Sequence, residues 1–135
     1  MSGSFLDTNV LLYAEDIRSP EKRERAQNLI DQISRSENAV LSLQVLQEYF
    51  AAATRKLGLS TDFVEKRIQQ YAGWQVVTLK ADDLLAAINL HRHFQFSIWD
   101  ALIVHAALIS GCEFLYSEDL QHGQRIGNLQ IVNPF

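Results

Sequence analysis

Hydrophobic positions along the chain follow two rhythms. Short apolar runs read as buried strands: Phe5-Leu6, Ala39-Val40-Leu41, Trp74-Gln75-Val76-Val77-Thr78, Phe114-Leu115-Tyr116-Ser117 and Leu129-Gln130-Ile131-Val132. Between them apolar residues recur at three-and-four spacing, which predicts helices. A short helix follows Thr8-Asn9 with Leu11, Leu12 and Tyr13, and a second starts at Ser19-Pro20 and turns Ala26, Leu29, Ile30 and Ile33 inward. A third spans residues 43–57, capped by Ser42 and stopped by Gly58, with Val45, Leu46, Tyr49, Phe50, Ala53 and Leu57 on one stripe. Ser60-Thr61-Asp62 opens a fourth that buries Val64, Ile68 and Tyr71 and ends at Gly73; a fifth turns Ala81, Leu84, Leu85 and Ile88 inward. The last, residues 96–109, is apolar right round its wheel, so it is buried on most sides. Strands alternating with helices predict an α/β fold, a mostly parallel sheet covered on both faces with right-handed crossovers.

Size adds one constraint. At 135 residues the chain is expected to form a single domain over 1–135. No run is long enough to span a membrane, and Met1-Ser2-Gly3-Ser4 has neither the basic nor the apolar region of a signal peptide, so the expected location is the cytoplasm. The one cysteine, Cys112, lies among apolar residues with no cation close in sequence and reads as a buried structural thiol. A net charge of -4 disfavours binding to nucleic acid through bulk phosphate attraction, so any such role is local or brought by a cation.

The chemistry lies in acids at element boundaries. Asp7 follows the first strand and opens the first helix, which makes it a helix cap, a group at the ligand-binding edge of the sheet, or both. Asp119, preceded by Glu118, repeats that position after the fourth strand. Asp100 stands at the third position of the last helix behind Ser97, as in a capping box, and only His105 titrates with it between Phe96 and Cys112. Glu48 lies opposite the apolar stripe of the third helix, about two turns from its start. Asp82 and Asp83 belong to a helix N-terminus, His91 and His93 lack the spacing of a helical metal pair, and His105 reads as a hydrogen-bonded core residue. Parallel strands end at one edge, so Asp7 and Asp119 converge there with Asp100. Carboxylates gathered without matching bases repel, and a hard cation removes the conflict; oxygen-only ligands favour Mg²⁺ or Mn²⁺ over zinc. Such an ion suits phosphodiester hydrolysis.

Phe5-Leu6-Asp7-Thr8-Asn9, Glu48, Ser97-Ile98-Trp99-Asp100-Ala101-Leu102-Ile103 and Leu115-Tyr116-Ser117-Glu118-Asp119-Leu120 together resemble the four acidic motifs of PIN domains, and more narrowly the VapC toxins of toxin-antitoxin pairs. The resemblance implies a PIN-like three-layer sandwich, with a five-stranded sheet in the order 3-2-1-4-5 flanked by helices. It implies an Mg²⁺- or Mn²⁺-dependent ribonuclease leaving a 5′-phosphate and a 3′-hydroxyl. Asp7, Asp100 and Asp119 match its metal-binding acids and Glu48 the fourth member. Asn9 and Ser117 match small polar positions that orient these acids. The resemblance further implies an RNA substrate, a homodimer and a cognate antitoxin that neutralises the toxin. Glu118 departs from the pattern as an extra acid. Arg18, Lys22, Arg55 and Lys56 are candidates for guiding RNA, although solvated charge is the default for each.

Two rival readings stand beside this one. Phosphatases with an aspartate nucleophile also begin strand, Asp, Thr, but need a second acid where this chain has Asn9. A catalytically silent PIN-like module for RNA or protein interaction would keep the fold without cleavage.

Overall fold

The structure, a computed structural model, describes residues 3–135. Met1 and Ser2, part of the stretch read above as lacking signal-peptide character, lie outside the described residues. The chain runs β1 (Gly3–Leu6), α1 (Thr8–Tyr13), α2 (Pro20–Arg35), β2 (Ala39–Ser42), α3 (Leu43–Arg55), α4 (Thr61–Tyr71), β3 (Gln75–Val77), α5 (Ala81–Phe94), α6 (Ile98–Ile109), β4 (Cys112–Tyr116), β5 (Arg125–Ile126) and β6 (Leu129–Val132). These strands form one sheet in the order β3-β2-β1-β4-β6-β5. All pairings are parallel except that of β5 with β6.

The expected order 3-2-1-4-5 therefore holds, with β6 in the fifth place, and the strand count is corrected from five to six. The added strand, β5, is two residues long and folds back on β6 through Gly127, whose φ of 58° is left-handed. Two residues carry no period from which a strand is read.

Serine precedes four of the helices as the sequence predicts, and three cap by side chain, whereas Ser19 before Pro20 makes no side-chain cap bond. Ser42, Ser60 and Ser97 each accept from the backbone N–H three residues on, at Val45, Phe63 and Asp100, satisfying donors that the helix cannot pair. The core lies against both faces of β1, β2 and β4, where Phe5, Leu6, Leu41 and Leu115 are fully buried with Val45 and Tyr49 of α3 and Ile103 of α6.

Two inward faces differ from expectation. Phe50 stands at the margin of the α3 stripe and is exposed. In α5, Leu84 and Leu85 face solvent, Ala81 is exposed as well, and the buried residue is Ala87. The face that packs carries Ala87, Leu90 and Phe94 together with Asp83, whose Oδ2 accepts from Lys80 N and whose Oδ1 meets buried His105 Nε2 of α6, both at 2.8 Å. Ala87 follows Asp83 by one turn, and its small side chain admits close approach of α5 to α6. His105 is thus the hydrogen-bonded core residue its setting predicted. Cys112 is buried, and burial pushes its thiol pKa up.

Candidate active site

Asp7 leaves β1 and caps α1 in extended conformation, with Oδ1 accepting from Thr8 N at 2.7 Å. Its other oxygen, Oδ2, accepts from Ser117 Oγ at 2.8 Å, so the hydroxyl just past β4 reaches the carboxylate just past β1. This contact follows from parallel pairing, which sets Leu6 beside Tyr116. Asp7 N completes the junction by donating to Tyr116 O at 3.0 Å.

The neighbouring carboxylates hang on the same frame. Asn9 Nδ2 donates to Asp119 Oδ2 at 3.1 Å, and Asn9 Oδ1 accepts from Glu118 N at 3.1 Å. Ser117 Oγ also accepts from Asp119 N at 3.2 Å. Glu48 enters from α3, where its Oε1 accepts from Thr8 Oγ1 at 2.9 Å. Asp100 enters from the first turn of α6, its N–H held by Ser97 Oγ at 3.0 Å. All four acids and Asn9 border one cleft of about 380 Å³, while Ser117 lies fully buried behind it.

Electrostatics record this crowding. Asp7 is 5% exposed, and burial pushes its pKa up to about 7; hydrogen bonds from Ser117 and Thr8 pull it down, while Asp119 and Glu48 push it further up. Burial also raises the pKa of Asp100, opposed by Ser97 and reinforced by Asp119 and Glu48. Both of Asp7's hydrogen-bond partners are neutral, so nothing in direct contact offsets its charge. The donor set is oxygen only and suits a hard divalent ion. Among the described residues no three His, Cys, Asp or Glu side chains stand close enough to cage an ion as they are; Glu48 and Asp119 instead accept from Thr8 and Asn9.

A family model described as the PIN domain matches residues 4–125, which takes in Asp7, Glu48, Asp100 and Asp119. The chain belongs to the PIN domain family. Comparison with curated protein sequences gives no match. Among solved structures, this PIN domain is similar to a chain of a toxin-antitoxin complex from Klebsiella pneumoniae, with a TM-score of 0.72 at 16% identity over 98% of each chain. It is also similar to VapC20 of Mycobacterium tuberculosis, a Sarcin-Ricin loop cleaving toxin, with a TM-score of 0.67 at 22% identity over 84% of this chain and 87% of that one. At those identities the likeness is one of fold.

The basic residues around the PIN cleft divide into two kinds. Arg18 borders the cleft but is engaged: its Nε and Nη2 donate to Asp16 Oδ1 and Oδ2 at 2.9 and 3.0 Å. That contact holds the Asp16 carboxyl below its usual range. Lys22 Nζ donates to Glu118 Oε2 and sits over the rings of Tyr13 and Phe135, and Tyr13 OH donates to Glu118 Oε1 at 2.8 Å. Glu118 is partly buried, which would raise its pKa, yet Lys22 and Tyr13 hold it below the usual value. Glu118 and Asp119 thus differ in partner although both border the cleft: the first meets a cation on α2, the second meets Asn9. Lys56, just past α3, borders the cleft and is exposed, whereas Arg55 does not border it. Sequence reading missed Thr8 and Tyr13, whose hydroxyls hold Glu48 and Glu118 through contacts 40 and 105 residues apart that no local pattern records.

Proposed function

We propose that this PIN domain is a divalent-metal-dependent endoribonuclease, the growth-inhibiting toxin of a toxin-antitoxin pair, neutralised by a cognate antitoxin. The observation that carries the reading is Asp7: a buried carboxylate with neutral partners, pushed towards protonation at neutral pH, on one cleft with Glu48, Asp100 and Asp119. A site of that kind is poorly suited to sitting empty and well suited to a cation. Mg²⁺ or Mn²⁺ would be held by Asp7, Asp100 and Asp119 with Glu48, and when bound it supplies an activated water and charge stabilisation at a phosphoryl oxygen.

The chain's own residues do the positioning. Ser117 and Thr8 N–H fix both oxygens of Asp7, Asn9 aims Asp119, and Thr8 restrains Glu48. The toxin role and the antitoxin are supported by the fold shared with the Klebsiella pneumoniae toxin-antitoxin complex and with VapC20; a homodimer is part of the proposal on the PIN resemblance alone. No helix among the described residues is long and apolar enough to cross a membrane, which agrees with a cytoplasmic site of action.

The test is cleavage of total RNA by purified protein in Mg²⁺ or Mn²⁺, with EDTA and a folded Asp7→Asn variant as controls. Cuts that vanish in both controls are expected. Cleavage that survives Asp7→Asn would remove Asp7 from the reaction, and binding of RNA without any cutting would favour the silent interaction module.

A further inference from the structure

Trp99 is 63% exposed and stands at the lip of the cleft next to Asp100. A tryptophan offers one of the largest apolar surfaces of any residue, and most chains bury it. Here no ring and no hydrogen bond among the described residues engages the indole. Its backbone is nevertheless fixed: Trp99 lies in the first turn of α6, and Gln44 Nε2 donates to Trp99 O at 3.3 Å. The polar residues Gln44 and Asp100 border the cleft beside it.

The floor of the cleft gives this ring a direction. Gln44, Glu48, Ala52 and Lys56 all border it, and their spacing of four places them in one row along α3. The row runs about 18 Å, with Trp99 beside Gln44 at one end, the acids next along, and Lys56 about 12 Å beyond Glu48 at the other. Lys56 is exposed and has no ion-pair partner among the described residues. An exposed ring, an acidic centre and a free cation in sequence match what one extended nucleic-acid strand presents: a base face, a linkage to be cut and a further phosphate.

We propose that Trp99 is a stacking platform for the nucleobase adjoining the cleaved linkage, and that Lys56 binds a phosphate farther along the same strand, so that RNA lies parallel to α3. The inference rests on the ribonuclease reading and deepens it by fixing how the strand is held. Stacking recognises any base with an unstacked face, so Trp99 demands a base without choosing strongly among bases.

The test uses Trp74→Phe protein, which leaves Trp99 as the sole tryptophan, excited beyond the absorption of tyrosine, in Ca²⁺ with gels to verify that the probe stays intact. The probes are an RNA hexamer and the same sugar-phosphate chain without bases. The hexamer is expected to quench Trp99 emission and the base-free chain to leave it unchanged. By anisotropy of labelled hexamer, Trp99→Ala weakens binding about five- to a hundredfold and Trp99→Phe restores most of it. Lys56→Gln weakens both chains alike and lowers the salt dependence. Equal quenching by both probes, or unchanged hexamer binding by Trp99→Ala, overturns the platform. So does a change in oligomeric state with unchanged binding, which would place Trp99 in a protein contact. RNA cleavage undiminished in Trp99→Ala but absent in Asp7→Asn, or wild-type protein that cleaves total RNA yet binds neither probe, would sink the platform alone; wild-type protein that neither binds the probes nor cleaves total RNA would sink the ribonuclease reading with it.

Discussion

Ser117 Oγ donates to Asp7 Oδ2 at 2.8 Å across 110 residues of chain, tying the end of β4 to the end of β1 at the carboxylate most deeply buried in the cleft. The same hydroxyl accepts from Asp119 N, so one side chain sets the position of two acids. Ser117→Ala keeps the volume nearly intact and removes this coupling together with the hydroxyl's longer contact at 3.4 Å from Asn9 Nδ2. Expected are a loss of divalent affinity or cleavage of about 10- to 100-fold and a loss of stability of about 1–3 kcal/mol, read by metal titration and by urea unfolding.

The raised pKa of Asp7 makes metal-free stability depend on pH. Its folded value of about 7 lies above the ordinary 3.8, so the folded state holds a proton that the unfolded chain has released. The stability from this group is full below pH 3.8 and is lost as pH rises to about 7, a change of at most about 4 kcal/mol. In EDTA, the wild type should lose Tm relative to Asp7→Asn across that window. Adding Mg²⁺ at pH 8 should return it to the wild type and not to the variant. Equal pH profiles for the two proteins in EDTA would show that Asp7 is not driven towards protonation.

Glu118 and Asp119 are adjacent in sequence but should differ in consequence. Glu118 is engaged by Lys22 and Tyr13, Asp119 by Asn9 in the cleft. Glu118→Gln is expected to change stability by no more than about 1 kcal/mol, since the pair is partly solvated, and to leave cleavage largely intact. Asp119→Asn should reduce cleavage by more than the ~10–100-fold typical of groups behind a metal ligand. The reverse ranking in a single-turnover assay would move the ligand role to Glu118.

Tyr49 gives a prediction away from the chemistry. Its ring is fully buried and meets Tyr71 edge-on at 5.7 Å, but its hydroxyl has no hydrogen-bond partner among the described residues. Burial also pushes its pKa up. Tyr49→Phe keeps the ring contact and deletes the unpaired polar atom, so a gain of about 1–3 kcal/mol in chemical denaturation is expected. A loss would mean that the hydroxyl is satisfied by a bound water.

Much of this arrangement was legible because it is local. Ser42, Ser60 and Ser97 announce helix starts by type and position, and the acids at 7 and 119 stand where apolar strand runs stop. What the sequence hides is pairing at a distance. Arg18 and Lys22 read as free cations, yet Asp16 and Glu118 engage them. The inward face of α5 carries Asp83, which meets His105, with Ala87, Leu90 and Phe94, so the large side chains Leu84 and Leu85 misdirected the wheel while Ala87 took the buried place. Asp119 and Glu48 are close enough to push the pKa values of Asp7 and Asp100 up, and Thr8 and Asn9 engage two of the acids, contacts that motif spacing alone does not convey.

The position of β1 bears on when the protein becomes active. Made early, it lies in the interior of the sheet, between β2, which follows within forty-odd residues, and β4, which closes its other side from more than a hundred residues away. A nascent chain halted before β4 has Asp7 but neither Ser117 to orient it nor Asp119 to join it, and one edge of β1 lies open. On the ribosome, the proposed ribonuclease would therefore be harmless to the message and the ribosome that are making it, and competence would arrive in a single late step, when the last third of the chain docks onto the first strand.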